Sequence, residues 1–406
     1  MPVDKINKPA SVFQQTYDVI VIGGGPMGLA TAYYNSKRSA STLVLEQFTF
    51  FNQQGSSAGV SRQFRIPYPD EYMVKMAEDA LPYWAELQTH SQEQLLTTVG
   101  TLWFGDPTVQ STEGNIAAAE LAMQAQDVPY TSLTVGEIEE RYHFKDLPSN
   151  YRGLFQADGA SIDLLATQRT LYDCNLASPL VTMLDQSPVI GIQQSDQLFM
   201  VTTPGGTYVG KKLVIVPGPY INDVINLLDF RIEATYWNMA SAYFKKTDPA
   251  IQYPTWFVFQ QPEGNSGNQF YGFPEVEWNY PDYIRVAPDF VMTPLSDPNQ
   301  ASFVPNPEEL AYTSEWVRKH MTGLDPTPHY KSTCLVALST IAGKEMLIDF
   351  APSYVPNHKN IVMYATGWAA KFVPLLGSIL SEMAIDGKSS YDISHFQTGQ
   401  LYFRSM

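Results

Sequence analysis

The sequence predicts an α/β fold in which a Rossmann-like nucleotide-binding domain is interleaved with an α+β domain built on an antiparallel sheet. Three observations carry this. Near the N-terminus, YDVIVIGGGPMGLATAYY passes from a short apolar run into glycines and then into an Ala/Leu/Tyr pattern, which reads as strand, tight turn and helix. Two later runs, KKLVIVPGPYIND and NIVMYATGW, read as buried strands ending in glycine turns, as strands returning to the same sheet would. Between them, residues 230–329 are rich in aromatics and prolines with strand-like alternation, as in SAYFKK and PTWFVFQQ.

The first unit carries the most specific spacing. Gly23, Gly25 and Gly28 make a GxGxxG turn. The first glycine permits the turn, the second lets backbone approach a pyrophosphate, and the third lets helix and strand pack closely. The phosphates would sit at the helix N-terminus. The next strand, STLVLE, ends in Glu46, at the distance where a carboxylate accepts hydrogen bonds from a ribose hydroxyl. In the middle of the chain, NIAAAELAMQAQ reads as helix and GTLWFG as strand, with no second glycine fingerprint. GSILSEMAIDG is an amphipathic helix closing at Gly387. The division that follows gives residues 1–90, 153–229 and 330–406 to the nucleotide-binding domain, and residues 91–152 and 230–329 to the second.

Composition narrows the partners. With 406 residues, 44% hydrophobic and 13% aromatic, the chain is long and apolar enough for two packed domains. The 25 Lys+Arg against 41 Asp+Glu give a formal charge of −16, which repels nucleic acid and anionic lipid. No nucleic acid or membrane partner is expected. The two cysteines, Cys174 and Cys334, make no disulfide framework or zinc spacing, and the six histidines form no helical pair, so no metal is expected. The first residues lack an apolar signal core, and no run reaches the roughly 18 apolar residues of a membrane span. A soluble, cytoplasmic, unprocessed protein is the expectation.

The turn alone does not choose between NAD and FAD. The loop GSSAGVSRQFRIPYP, residues 55–69, sets Arg62 and Arg65 in small and apolar surroundings. It resembles the GSxHGxxRxxR loop of the FAD-dependent amine oxidases of the D-amino-acid-oxidase superfamily, in the branch of monomeric sarcosine oxidase, N-methyltryptophan oxidase and pipecolate oxidase. Gly55, Ser56, Gly59, Arg62 and Arg65 stand in that pattern. YGFP, with Tyr271, resembles the segment whose tyrosine lines the substrate pocket. KSTCLVAL resembles the segment whose cysteine carries the flavin, and TGWAAKF the late glycine loop with its lysine. SSYDISHF resembles the family's closing residues, so the likeness runs in pieces from residue 17 to about 396.

The resemblance implies FAD, held by the glycine turn, Glu46, Ser56, Arg62, Gly367 and Lys371, and attached through Cys334. A cysteine thiolate beside the flavin's 8α-methyl carbon forms a thioether. Cys174 reads as a packed core residue. The resemblance also gives Arg65 and Lys371 as a clamp on a substrate carboxylate, an arginine fork beside a lysine point charge. Arg62 would lie against the flavin, and Tyr271 would face the substrate. In EVEWNYPDYIRVAPDF, a three-residue insertion places Arg285 at the family's oxygen-activating lysine and Asp289 at its pocket histidine. Ala58 and Val336 replace the family's loop histidine and the aromatic after the flavin cysteine.

The implied activity is oxidation of a secondary or primary amine, an N-alkyl or cyclic α-amino acid, by hydride transfer to flavin N5. Molecular oxygen would be the acceptor and hydrogen peroxide the product, in a monomer. Two alternatives stay open: a flavin amine dehydrogenase using another acceptor, and a non-catalytic flavin-stabilised binding protein.

Overall fold

The computed structural model describes residues 15–111, 113–340, 346–397 and 404–405. Its first sheet is nucleated by the glycine unit. Strand β1 (Thr16–Ile22) is flanked in parallel by β2 (Thr42–Leu45) on one side and Gly206–Ile215 on the other. Val19, Ile20 and Val21 are fully buried because both faces of the sheet are covered, which is why the run is apolar without alternation. Val181–Leu184 extends the parallel order beyond β2, and Ile361–Ala365 joins the end of Gly206–Ile215. Both late apolar runs therefore return to this sheet. Leu347–Phe350 and the hairpin Gly191–Ser195/Leu198–Thr203 complete it as antiparallel strands.

Helix α1 (Pro26–Lys37) crosses closely over the C-terminal helix Val373–Asp386. A Cβ at Gly377 would lie 2.5 Å from the Cβ of Ala30, so glycine permits the approach. The C-terminal helix stops at Gly387, whose φ of 72° is the left-handed cap that glycine adopts without strain.

The second sheet has eight strands in the order Leu324–Ser339, Ala234–Lys246, Tyr283–Pro288, Phe270–Phe273, Thr255–Phe259, Thr101–Gly105, Arg152–Gln156, Thr131–Thr134. All neighbours are antiparallel except Thr255–Phe259 against Thr101–Gly105, so the sheet is mixed rather than purely antiparallel. The parallel pair arises because a long crossover separates those two strands in sequence. One face packs Trp256, Phe270 and Phe144 against Trp316 of the helix Pro307–His320. The opposite face carries Phe257 and Tyr271, which pack with the core that includes Val19 and Val21 of the first sheet. The expected boundaries at 153 and 330 cut through Arg152–Gln156 and Leu324–Ser339, both of which belong to this second sheet. Strand β3 (Ser61–Phe64) pairs with Ala160–Asp163, which also pairs with Leu96–Thr98, in a small third sheet.

Among the described residues no helix is long and apolar enough to cross a membrane, and no group of three His, Cys, Asp or Glu could hold a metal ion. The stretch read for a targeting signal, residues 1–14, lies outside the described residues.

Candidate active site

One elongated cavity runs from the glycine turn to the face of the second sheet, with about 1850 Å³ of unfilled space including its part open to solvent. At its first end the three glycines have distinct reasons. A Cβ on Gly23, whose φ is 115°, would lie 2.4 Å from the Val216 carbonyl, and one on Gly28 would lie 1.8 Å from the Gly23 carbonyl. At Gly25 the same atom would meet nothing within 4 Å. That open side faces the cavity at the N-terminus of α1, where no side chain caps the first amides. Glu46, just after β2, accepts from the Gly24 amide at 2.7 Å and the Phe48 amide at 2.9 Å. Burial raises its pKa, and those two amides oppose the shift. An open glycine under uncapped amides and a carboxylate at the next strand end fit the pyrophosphate and ribose of FAD.

Midway, the arginine loop is tied to the strand that carries Cys334. Ser56 Oγ donates to the Leu335 carbonyl at 2.7 Å. Arg62 folds back onto its own loop, donating to the carbonyls of Ser56 at 2.6 Å, Ala58 at 2.7 Å and Ser61 at 2.7 Å. Arg285, from the strand Tyr283–Pro288, donates through Nη1 to the same Ser61 carbonyl at 2.8 Å and to Ser61 Oγ at 2.9 Å. Two guanidinium groups thus meet at one carbonyl beside the cavity. Burial lowers the Arg62 pKa; Cys334 opposes the shift and Arg285 adds to it. Burial also raises the Tyr271 pKa, with Arg285 opposing and Cys334 and Asp289 adding. These interactions put Arg62, Arg285, Tyr271, Asp289 and Cys334 in one neighbourhood. Cys334 is buried in a cluster with Ala58, Met239 and Val336, so the two positions that depart from the family pattern pack around the candidate attachment point.

Gly367, with φ 87°, follows Thr366, a β-branched residue at φ 63°. Such a conformation is strained and persists only when its surroundings hold it. Here the Gly367 amide donates to the Ala337 carbonyl at 3.0 Å and Tyr364 Oη donates to the Thr366 carbonyl at 2.7 Å. Both residues line the cavity.

At the far end the two carboxylate-clamp candidates converge. The Arg65 guanidinium lies 4.7 Å from the centre of the Tyr68 ring, and Lys371 Nζ lies 5.2 Å from the same centre. Lys371 sits on the short turn Ala370–Phe372, whose position is fixed by Trp84 Nε1 donating to the Lys371 carbonyl at 2.7 Å. Arg65 is not a bare cation: it makes a buried ion pair with Glu113. Sequence reasoning missed Glu113, which stands in a short polar loop with no motif to mark it. It also missed Tyr68, Gln63 and Trp368, although Gln63, Trp368 and Glu113 line the cavity. Asp289 is buried just after the strand Tyr283–Pro288, its amide donating to the Gln269 carbonyl at 2.8 Å. Every sequence-derived site residue except Gly28, which packs beneath the glycine turn, lines this one cavity, and Cys174 lies apart on the helix Leu164–Ala177 against the first core.

A glycine-turn nucleotide site whose cavity reaches Arg285, Tyr271 and Cys334 on the second sheet, with Arg62, Arg65 and Lys371 beside them, fits a flavin oxidoreductase. Comparison with known proteins agrees. Residues 18–383 match the family model described as FAD dependent oxidoreductase. The solved structure of NikD, described as an unusual amino acid oxidase essential for nikkomycin biosynthesis, superposes with a TM-score of 0.89 at 35% identity, covering 95% of this chain and 98% of that one. A putative bifunctional amine oxidase of Dictyostelium discoideum is 35% identical over 94% of this chain, which spans only 37% of that protein's length. Monomeric sarcosine oxidase of an Arthrobacter species is 26% identical, over 94% of this chain and 96% of its own. The chain belongs to the FAD dependent oxidoreductase family, and within it to the sarcosine oxidase and NikD-like group, whose members act on amines or amino acids.

Proposed function

We propose that this protein oxidises the carbon–nitrogen bond of a secondary or primary amine that carries a carboxylate, in first place an N-alkyl or cyclic α-amino acid, using FAD joined to Cys334 by a thioether. The observation that carries the reading is the convergence of Arg65 and Lys371, from distant segments, on the one buried Tyr68 ring, with both cations lining the cavity that also holds Cys334. Bound FAD supplies the two-electron acceptor, reoxidised by oxygen to give hydrogen peroxide.

The chain's own residues bind, orient and polarise. Arg65 offers a planar fork to the substrate carboxylate and Lys371 a point charge. The Glu113 ion pair holds that fork in place, and the substrate carboxylate shares Arg65 with it. Tyr271, whose pKa burial raises, keeps its hydroxyl proton and can donate or accept beside the reacting carbon. The carboxyl groups of Glu113 and Asp289 suit a cationic or N–H-bearing nitrogen. The paired guanidiniums of Arg62 and Arg285 favour negative charge developing at their end of the cavity, as when electrons pass to oxygen. Arg285 in place of a lysine supports a second reading, transfer to a different acceptor. A peroxide assay with and without an artificial acceptor separates the two.

The test of the carboxylate clamp is Lys371→Met. Charge-assisted hydrogen bonds are worth roughly 1.5–3 kcal/mol, so carboxylate substrates should weaken by about ten- to a hundredfold, and the matching descarboxy amines much less. Equal losses for both would show that Lys371 does not read the carboxylate.

A further inference from the structure

Gln63 stands on β3 between the two arginines, and the chemistry assigned so far gives it no part. Its Nε2 donates to the Gly272 carbonyl at 2.8 Å and to the Trp256 carbonyl at 3.1 Å. Those two residues are register partners on neighbouring strands of the second sheet. A Cβ at Gly272 would strike the Trp256 indole at 2.3 Å, so that direction belongs to the packed aromatic face. Gln63 therefore covers the opposite face, where Phe257 and Tyr271 also line the cavity.

Carbonyl oxygens only accept, so the amide nitrogen must face them and Oε1 must turn away. Among the described residues no donor reaches Oε1, and the half-buried side chain lines the cavity. The amide is pinned by two strands and presents one unused acceptor. It is a neutral amide at any pH.

We propose that Gln63 Oε1 is a specificity-determining acceptor for the substrate's N–H, selecting carboxylate-bearing amines that keep a hydrogen on nitrogen in the neutral, reacting form over tertiary amines of the same shape, which then have none. A site built to accept a hydrogen bond rejects the analogue that lacks the donor, because the site's group is then left unpaired. The inference rests on the carboxylate-binding reading above.

Pyrrole-2-carboxylate and furan-2-carboxylate test it, since they share a ring size and a carboxylate but place N–H or a bare oxygen at the same point. Their binding to the flavin-loaded protein is followed by the change in flavin absorbance. The wild type should bind the pyrrole at least about tenfold more tightly, at both pH 6 and pH 8. Gln63→Met should bring the two within about twofold by weakening the pyrrole alone, and Gln63→Leu should do the same. A wild type that prefers neither ligand, or the furan, overturns the proposal without any variant. So does a variant that keeps the preference, or one that weakens both ligands equally, which marks a loosened strand pair. If neither ligand perturbs the wild-type flavin while descarboxy amines still bleach it, the carboxylate clamp itself has failed and this proposal falls with it.

Discussion

At Cys334 the sulfur lies on a strand of the second sheet, opposite Met239 in register and packed with Ala58 and Val336. A thioether survives denaturation whereas noncovalent contacts do not. Acid precipitation of the wild type should therefore give a yellow pellet, and Cys334→Ala should release its flavin to the supernatant. A colourless wild-type pellet would rule out attachment, and Ala58 in place of histidine would be the first cause to examine. Arg285 is held by two hydrogen bonds to Ser61 and by the Phe273 ring, 4.6 Å from its guanidinium carbon. Arg285→Met should slow reoxidation by oxygen by at least roughly tenfold, about 1.4 kcal/mol of barrier, with anaerobic reduction nearly unchanged. Stopped-flow measurement of the two half-reactions decides it, and a slowed reduction with normal reoxidation would put Arg285 on the wrong side of the reaction.

Among the elements, β3 does more than its four residues suggest. Side chains alternate along a strand, yet Arg62 and Gln63, consecutive on β3, both line the cavity. The helix Pro307–His320 acts from farther away. Glu309 in its first turn is buried, and its Oε1 accepts from the Met292 amide at 2.7 Å, fixing the turn that follows Asp289. Its Oε2 has no hydrogen-bond partner among the described residues. Burial raises the Glu309 pKa and the Met292 amide opposes. The folded protein thus holds this proton more firmly than the unfolded chain, so stability is lost as pH rises from the unfolded value, about 4.3, through the raised folded one. Glu309→Gln imitates the protonated acid and keeps an acceptor for Met292. Its Tm should match the wild type near pH 4 and exceed it by roughly a degree or two at pH 7. Parallel melting curves across that range would show that Glu309 does not carry the dependence.

For the whole molecule, residues of both large sheets, among them Ile22 and Leu45 of the first and Phe257, Tyr271 and Cys334 of the second, line the cavity, so a ligand filling it contacts both. Flavin bound to the folded state and not to the unfolded one stabilises by mass action. Cys334→Ala stripped of FAD should melt below the same variant with FAD restored, with Tm rising as free FAD increases. A Tm indifferent to FAD would mean that the cavity does not take it. The chain's formal charge of −16 gives no hint of this interior, where Arg62, Arg65, Arg285 and Lys371 gather in one place. Net charge describes the surface that partners meet, and the concentration of cations inside is a property of folding.

The sequence by itself determined the first unit, from β1 through the glycine turn to Glu46, because strand, turn and helix there are set by local sterics and hydrophobic period. The resemblance of short runs to the family's segments also marked Arg62, Arg65, Tyr271, Cys334 and Lys371, since such a likeness is carried by local sequence and needs no knowledge of neighbours in space. The sequence did not mark the domain edges at 153 and 330, where strands of the second sheet begin or continue through the expected boundary. Only the tertiary structure decided that Arg65 pairs with Glu113, 48 residues away, that Arg285 meets Arg62 at Ser61, 224 residues from it, and that Gln63 bridges to Gly272 across 209. Such partners are set by strand order and register, which depend on how the whole chain packs, and no local pattern of residues encodes them.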